Sequence, residues 1–392
     1  MNISQQPSSR SVSTGPLIPV AEPDIGRLEE ELVTQAIRSG WVSSLGPFVE
    51  QFETGFAKLC AMRHGVSTSN GTSALHLCLV AVGIGPGDEV IVPSLTFVAT
   101  AAAVKHAGAT PVLVDCDPEI GTLSGAAVQA AITTRTRAII VVHLFGHPAD
   151  IDPITELGRR QRIFVIEDAA EGHGATYRGR IVGSLADASC FSFYGNKVIT
   201  TGEGGMVLTN DAALARRLRF LRDHAMDPDR RYWHPEVGYN YRLTNPQAAL
   251  GVAQLQRFAE IRAARQRVLD AYRTLVAAAG LEIAINPRRE WAAPTPWLVC
   301  AVLPPEADPT VREHVFVNLR RRGIDTRPYF IPMHQLPPYV SCRTVASDGG
   351  TRLSCTESLA ARGFNLPSSG KLAFGTIERV VGSLADALRA AQ

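Results

Sequence analysis

The chain has 392 residues, of which 45% are hydrophobic and 19% charged, with a formal net charge of +2. That size and balance point to a soluble globular protein of two or three domains. They exclude a strongly basic nucleic-acid binder, since no Lys/Arg block stands among interleaved aromatics.

In chain order, residues 1–16 are polar and rich in Ser, Gln and Pro, and read as a disordered tail rather than a leader peptide. A helical pattern covers 24–38, and a Gly/Ser-rich loop, SGWVSSLGPF, leads into a second helix. From residue 66 short apolar strands alternate with helices. GVSTSN, DEVIVP, TPVLVDCD, TRAIIVVHLF and RIFVIEDAA read as strands, with TSALHLCLVAVGI, TFVATAAAVKHAG, SGAAVQAAI and DIDPITELGRRQ as the helices between them. ASCFSFY and GGMVLTN add two strands before the helix DAALARRLRFLRDH. This alternation predicts an α/β domain over 17–255 with a mostly parallel sheet covered on both faces. Helical sequence over 246–279 leads into a smaller α+β domain, 256–392, with WLVCAVL and IDTRPYF as strands and IERVVGSLADALRAA as the closing helix. The longest apolar runs are strand-length, far short of the ~20 residues a membrane helix needs. Seven cysteines without a CxxC pair argue against a disulfide framework or a zinc site, and a cytoplasmic location is expected.

Three stretches carry candidate chemistry. In SNGTSALHLCL a strand ends, a Gly-containing turn follows, and Thr72 and Ser73 open an apolar helix. Free N–H groups at such a helix start suit a phosphate, although ordinary N-capping explains the pattern as well. In VIEDAAEGHGA, Glu167, Asp168 and Glu171 follow an apolar strand, at the sheet edge where α/β proteins bind ligands. A carboxylate there can hold a cationic nitrogen, a sugar hydroxyl or a metal, and the absence of a second acid/His cluster disfavours a metal. In FSFYGNKVITTGEGG, Lys197 sits in an apolar run punctuated by glycines, with no acid in sequence nearer than Glu203. A desolvated lysine is a Schiff-base former, and a snorkelling lysine is the plain alternative. Taken together, a phosphate site, a carboxylate and a reactive lysine on one sheet edge are what pyridoxal 5'-phosphate requires.

At these residues the sequence resembles the DegT/DnrJ/EryC1/StrS sugar aminotransferases, over about residues 17–385. The matching motifs include SGWVSSLGPFVEQFE, SNGTSALHL, GDEVIVPSLTFVAT, HLFGHPAD, IEDAAEGHGA, FSFYGNKVITTGEGGMV, VGYNYRLTNPQAALGVAQL and RPYFIPMHQ. FSFYGNK and RRYWHPEVGYNYRLTN resemble most the branch acting on GDP-4-keto-6-deoxy-mannose. The resemblance implies a fold-type I, pyridoxal-phosphate-dependent aminotransferase. It implies Lys197 and Asp168 as catalytic residues, Asp168 at the pyridine nitrogen and Glu171 near the ring 3-hydroxyl. Phe97 is implied to stack on the ring, and Gly71, Thr72 and Ser192 to hold the phosphate. Asn240 is implied to reach the phosphate from a neighbouring subunit, making the active unit a homodimer. Trp41, Val42, Ser43, Tyr329 and His334 are implied to face the nucleotide sugar. The sister branch that removes a sugar hydroxyl has His where Lys197 stands, so amination is the expectation here. The implied reaction moves an amino group from L-glutamate to a nucleotide-linked 4-keto-6-deoxy sugar. Amination at C3, a dTDP or UDP carrier, and a non-catalytic regulator that kept the fold stay open at this level. No metal, nucleic acid or membrane partner is expected.

Overall fold

The computed structural model describes residues 16–391. The tail expectation for 1–16 falls, except for its last residue, outside the described residues. Eight strands form the central sheet, in the spatial order His64–Thr68, Gly205–Thr209, Ala188–Ser192, Phe164–Asp168, Thr136–Val142, Glu89–Pro93, Thr110–Val114 and Thr344–Val345. The first two neighbouring pairs are antiparallel and the rest are parallel. The parallel strands are apolar on both faces because helices cover both. Helix Gly71–Ala81 shows the same logic, with an unbroken buried run from Ser73 to Leu79. A helix without a polar stripe belongs in the interior.

Beneath the strand Ala188–Ser192, Phe52 and Phe56 of helix Pro47–Leu59 meet Phe191 and Phe193. Ring centroids of Phe56 lie 4.7 Å from Phe191 and 4.9 Å from Phe193, both edge-on. Such pairs contribute about 0.5–1.5 kcal/mol each beyond their buried area. They give the segment that leads to Lys197 a rigid floor.

The C-terminal part adds a four-stranded antiparallel sheet, ordered Ala284–Ile285, Val299–Val302, Gly363–Leu366 and Arg327–Pro328. Helices Phe258–Ala278, Pro309–Arg321 and Phe374–Arg389 pack against it. The expected strand IDTRPYF is reduced to Arg327–Pro328. Strand pairings cross the partition at residue 255, among them Ala292–Ala293 with Thr176–Tyr177. Thr344–Val345 joins the edge of the large sheet, and Ile18 forms a parallel bridge with Ile324 beside the small one. Among the described residues no helix is long and apolar enough to cross a membrane.

Candidate active site

The carboxyl ends of the parallel strands open into a cavity of about 710 Å³. Gly71, Thr72, Phe97, Asp168, Glu171, Ser192 and Lys197 all line it. Each arrives by a local rule. Asn70 caps helix Gly71–Ala81, its side chain accepting from the Ser73 N–H at 2.8 Å while Ser73 Oγ takes the Asn70 N–H at 3.1 Å. Ser73 is thereby used up as a cap, and the Thr72 hydroxyl has no partner among the described residues. The helix start lines the cavity, where an anion would satisfy its free N–H groups. Gly71 must lack a side chain: a Cβ there would lie 2.7 Å from the Ser192 Cβ.

The lysine loop closes on itself. Phe193 donates its N–H to the Gly204 oxygen at 2.8 Å, Thr201 N–H returns to the Phe193 oxygen at 2.9 Å, and Lys197 N–H bonds the Tyr194 oxygen at 2.9 Å. Gly202 takes φ +80°, which a side chain would disfavour. The loop holds Lys197 at 9% exposure. Its closest acid in space is not Glu203 but Glu171, with Nζ to Oε1 at 3.7 Å. Burial lowers the lysine's pKa, and the carboxylates of Glu171 and Asp168 pull against that shift. The ammonium thus costs more here than in water, which favours the free amine a nucleophile needs.

Asp168 ends the strand Phe164–Asp168 and is 5% exposed. Its Oδ2 accepts from the Thr100 hydroxyl at 2.8 Å, and Thr100 meets the Thr96 hydroxyl at 3.0 Å. Its Oδ1 accepts from the Ala170 N–H at 3.2 Å. Burial raises the pKa of this carboxyl despite those bonds. A cationic ring nitrogen placed against it would reverse the shift. Glu171 accepts the Phe145 N–H on Oε2 at 2.6 Å, and burial pushes its carboxyl up to about 7. Phe145 adopts φ +53°, an αL residue whose N–H is turned to this acceptor. A buried acid, a buried amine and a helix start with free N–H groups line one cavity, a set that could hold pyridoxal 5'-phosphate, with Asp168 toward the ring nitrogen, Lys197 toward the aldehyde, and Gly71, Thr72 and Ser192 toward the phosphate.

Other expected residues lie elsewhere in the same protomer. Tyr329 is turned away from the cavity, its ring 4.5 Å from Phe145 and filling the space left by Gly363. Its neighbours Arg327 and Phe330 line the cavity instead. His334 is spent on Ser94 Oγ at 2.7 Å and Glu357 at 3.3 Å. Trp41, Val42 and Ser43 are exposed on a loop pinned to Asn245, which donates to the Trp41 oxygen at 2.8 Å and the Ser43 oxygen at 2.7 Å. Asn240 is exposed and is not among the lining residues. Its Oδ1 accepts from Arg242 at 2.9 Å. His143 and His147 make hydrogen bonds, His143 Nε2 to Glu167 at 3.0 Å and His147 Nδ1 to the Pro148 oxygen at 2.7 Å. No metal-binding cluster occurs among the described residues.

Sequence reasoning missed Thr100, Phe145, Trp297 and Arg265. Thr100 and Phe145 lie within the motifs GDEVIVPSLTFVAT and HLFGHPAD, where nothing singles them out, and Trp297 and Arg265 stand in no such motif.

This fold and cavity define an aminotransferase, and the chain belongs to the DegT/DnrJ/EryC1/StrS aminotransferase family, whose model matches residues 23–385. Among its relatives is the GDP-perosamine synthase of Caulobacter vibrioides, 48% identical over 94% of this chain and 98% of that protein. The GDP-perosamine synthase of Escherichia coli O157:H7 is 41% identical over 90% and 93%. Among solved structures, Spr1654 from Streptococcus pneumoniae in its PLP form superposes with a TM-score of 0.88 at 26% identity, covering 96% of this chain and all of that one.

Proposed function

We propose that the protein transfers the amino group of L-glutamate to GDP-4-keto-6-deoxy-D-mannose at C4, giving GDP-perosamine, with pyridoxal 5'-phosphate as cofactor. The observation that carries the reading is the meeting of Lys197, Asp168 and the open helix start at Gly71 in one cavity. The two GDP-perosamine synthases support the substrate. When bound, the cofactor supplies an aldehyde that takes the amino group and a ring that draws electrons from the reacting carbon.

The protein's own part is positional and protonic. Asp168, buried and fixed by Thr100, keeps a positive charge on the ring nitrogen. Lys197 would hold the cofactor, and its Nζ, once free, would carry the proton to and from the reacting carbons. Gly71, Thr72 and Ser192 anchor the far end, so the reacting end keeps its register. Phe97, half exposed at the mouth and 5.7 Å from Phe330, covers the ring face. Arg327 is the lining arginine, and its side chain makes no hydrogen bond or ion pair among the described residues, which suits it to the donor's carboxylate. Asn240, outside its own protomer's cavity, serves a second copy, so the working unit is a homodimer.

The test is a mass-spectrometric screen with L-glutamate and GDP-, dTDP- and UDP-linked 4-keto-6-deoxy sugars. Conversion of the GDP-mannose-derived ketone, with NMR placing nitrogen at C4, is the expected result. Conversion of only the dTDP or UDP ketones, or nitrogen at C3, would overturn the substrate while leaving the transaminase intact.

A further inference from the structure

Lys197 Nζ lies 3.7 Å from the centroid of the Trp297 ring. The tryptophan is held both at its ring and at its main chain. Its Nε1 donates to the Asn196 oxygen at 2.9 Å, one residue before the lysine. Arg265, on helix Phe258–Ala278, donates from Nη1 to the Trp297 oxygen at 2.8 Å and from Nη2 to the Lys197 oxygen at 3.0 Å. Arg265 is 3% exposed and has no ion-pair partner among the described residues. A guanidinium buried without a carboxylate is costly. Its planar fork is suited to fixing two oxygens at a set separation. Here those oxygens belong to the lysine and to the tryptophan that faces it.

We propose that the face of Trp297, clasped by Arg265, is the resting place of the Lys197 ammonium whenever that nitrogen is not covalently held. The proposal rests on the reading of Lys197 as the reactive amine. A transaminating lysine is freed in each half-reaction and must then give and take a proton away from water. Glu171, at 3.7 Å, is beyond hydrogen-bond distance. An aromatic face attracts the cation but cannot accept its proton. It steadies the charge without competing as a base. The other groups around the nitrogen are known from the same surroundings. Asp168 and Glu171 favour the ammonium, His173, held down to about 3 by burial, is neutral, and Arg265 reaches the lysine at its main-chain oxygen.

The experiment uses the full-length, cofactor-free protein. The rate of Lys197 acylation by acetic anhydride is followed against pH by peptide mass spectrometry, with exposed Lys58 as internal reference. The midpoint of the curve reports the ammonium's stability, and the plateau at high pH reports access. Trp297→Leu should lower the midpoint by about one pH unit. Trp297→Phe should lower it less, and Arg265→Lys should fall between wild type and Trp297→Leu. The Phe variant keeps an aromatic filler and guards against a fold defect. Unchanged midpoints in all three variants, even with a raised plateau, overturn the proposal. Absence of glutamate turnover by wild-type enzyme would sink the function above but would not move these midpoints.

Discussion

The two ends of the parallel strands carry charge in opposite ways. At the amino ends a groove of about 1060 Å³ is lined by Asp88, Arg137, Asp152, Glu156 and Arg159, among others. It is larger than the cavity at the carboxyl ends, yet its charges are wet. Arg137 faces Asp88 at 3.6 Å with 63% of its side chain exposed, and Arg159 pairs with Glu156 one helical turn away. Exposed pairs of this kind contribute about 0–1 kcal/mol. At the carboxyl ends Asp168, Glu171 and Lys197 are all buried. Volume is a poor guide to chemistry here, and buried charge is a good one.

The comparison can be broken or sharpened by substitution. Lys197→Ala should lower transamination by at least about 10³-fold, since both covalent attachment and proton transfer are lost. Steady-state release of 2-oxoglutarate measures it, and near-normal turnover would make the buried amine incidental. Asp168→Asn keeps the shape and the Thr100 contact but removes the charge, and kcat/KM should drop by about 10²–10³-fold. Gly71→Ala forces a Cβ against Ser192, and fluorescence titration should show cofactor affinity weakened about tenfold or more.

A smaller effect concerns pH. Glu171 rises from the ordinary 4.5 to about 7 in the fold. The folded protein therefore holds this proton more tightly than the unfolded chain does. The associated stability is present below about pH 4.5 and is lost as pH rises through 7. In cofactor-free protein Glu171→Gln should flatten the fall in Tm between pH 5 and 8 by a few degrees, roughly. A parallel pair of curves would show that the carboxyl is not held up. At the other end of the sheet, Arg137→Ala and Arg159→Ala should leave turnover unchanged and shift stability by less than about 0.5 kcal/mol.

Much of this was legible in the sequence because it is local. The strand–turn–helix around Gly71, the acids after FVI and the lysine in its glycine-rich loop each announce themselves within about a dozen residues. The alternation of strands and helices gave the large sheet for the same reason. What escaped is contact at a distance. Trp297 reaches Lys197 across a hundred positions, and Arg265 looks like any charged residue on an amphipathic helix until its burial is seen. Tyr329, which the resemblance implies at the sugar, packs on Phe145 within this protomer, and a strand of two residues at 327 offers no alternation to show which side chain faces the cavity. Thr344–Val345 is too short to register as a strand, and only the open edge beside Thr110–Val114 gives it a partner.

The bridge between Ile18 and Ile324 also bears on the order of synthesis. Ile18 donates its N–H to the Gly323 oxygen at 2.8 Å, and Ser368 donates to the Val20 oxygen at 2.7 Å. These partners leave the ribosome roughly 300 positions later than the residues they meet. The large sheet can assemble strand by strand as the chain emerges, up to its last edge. The segment around Ile18 must wait, its backbone donors satisfied by water, until residues 323–368 have been made.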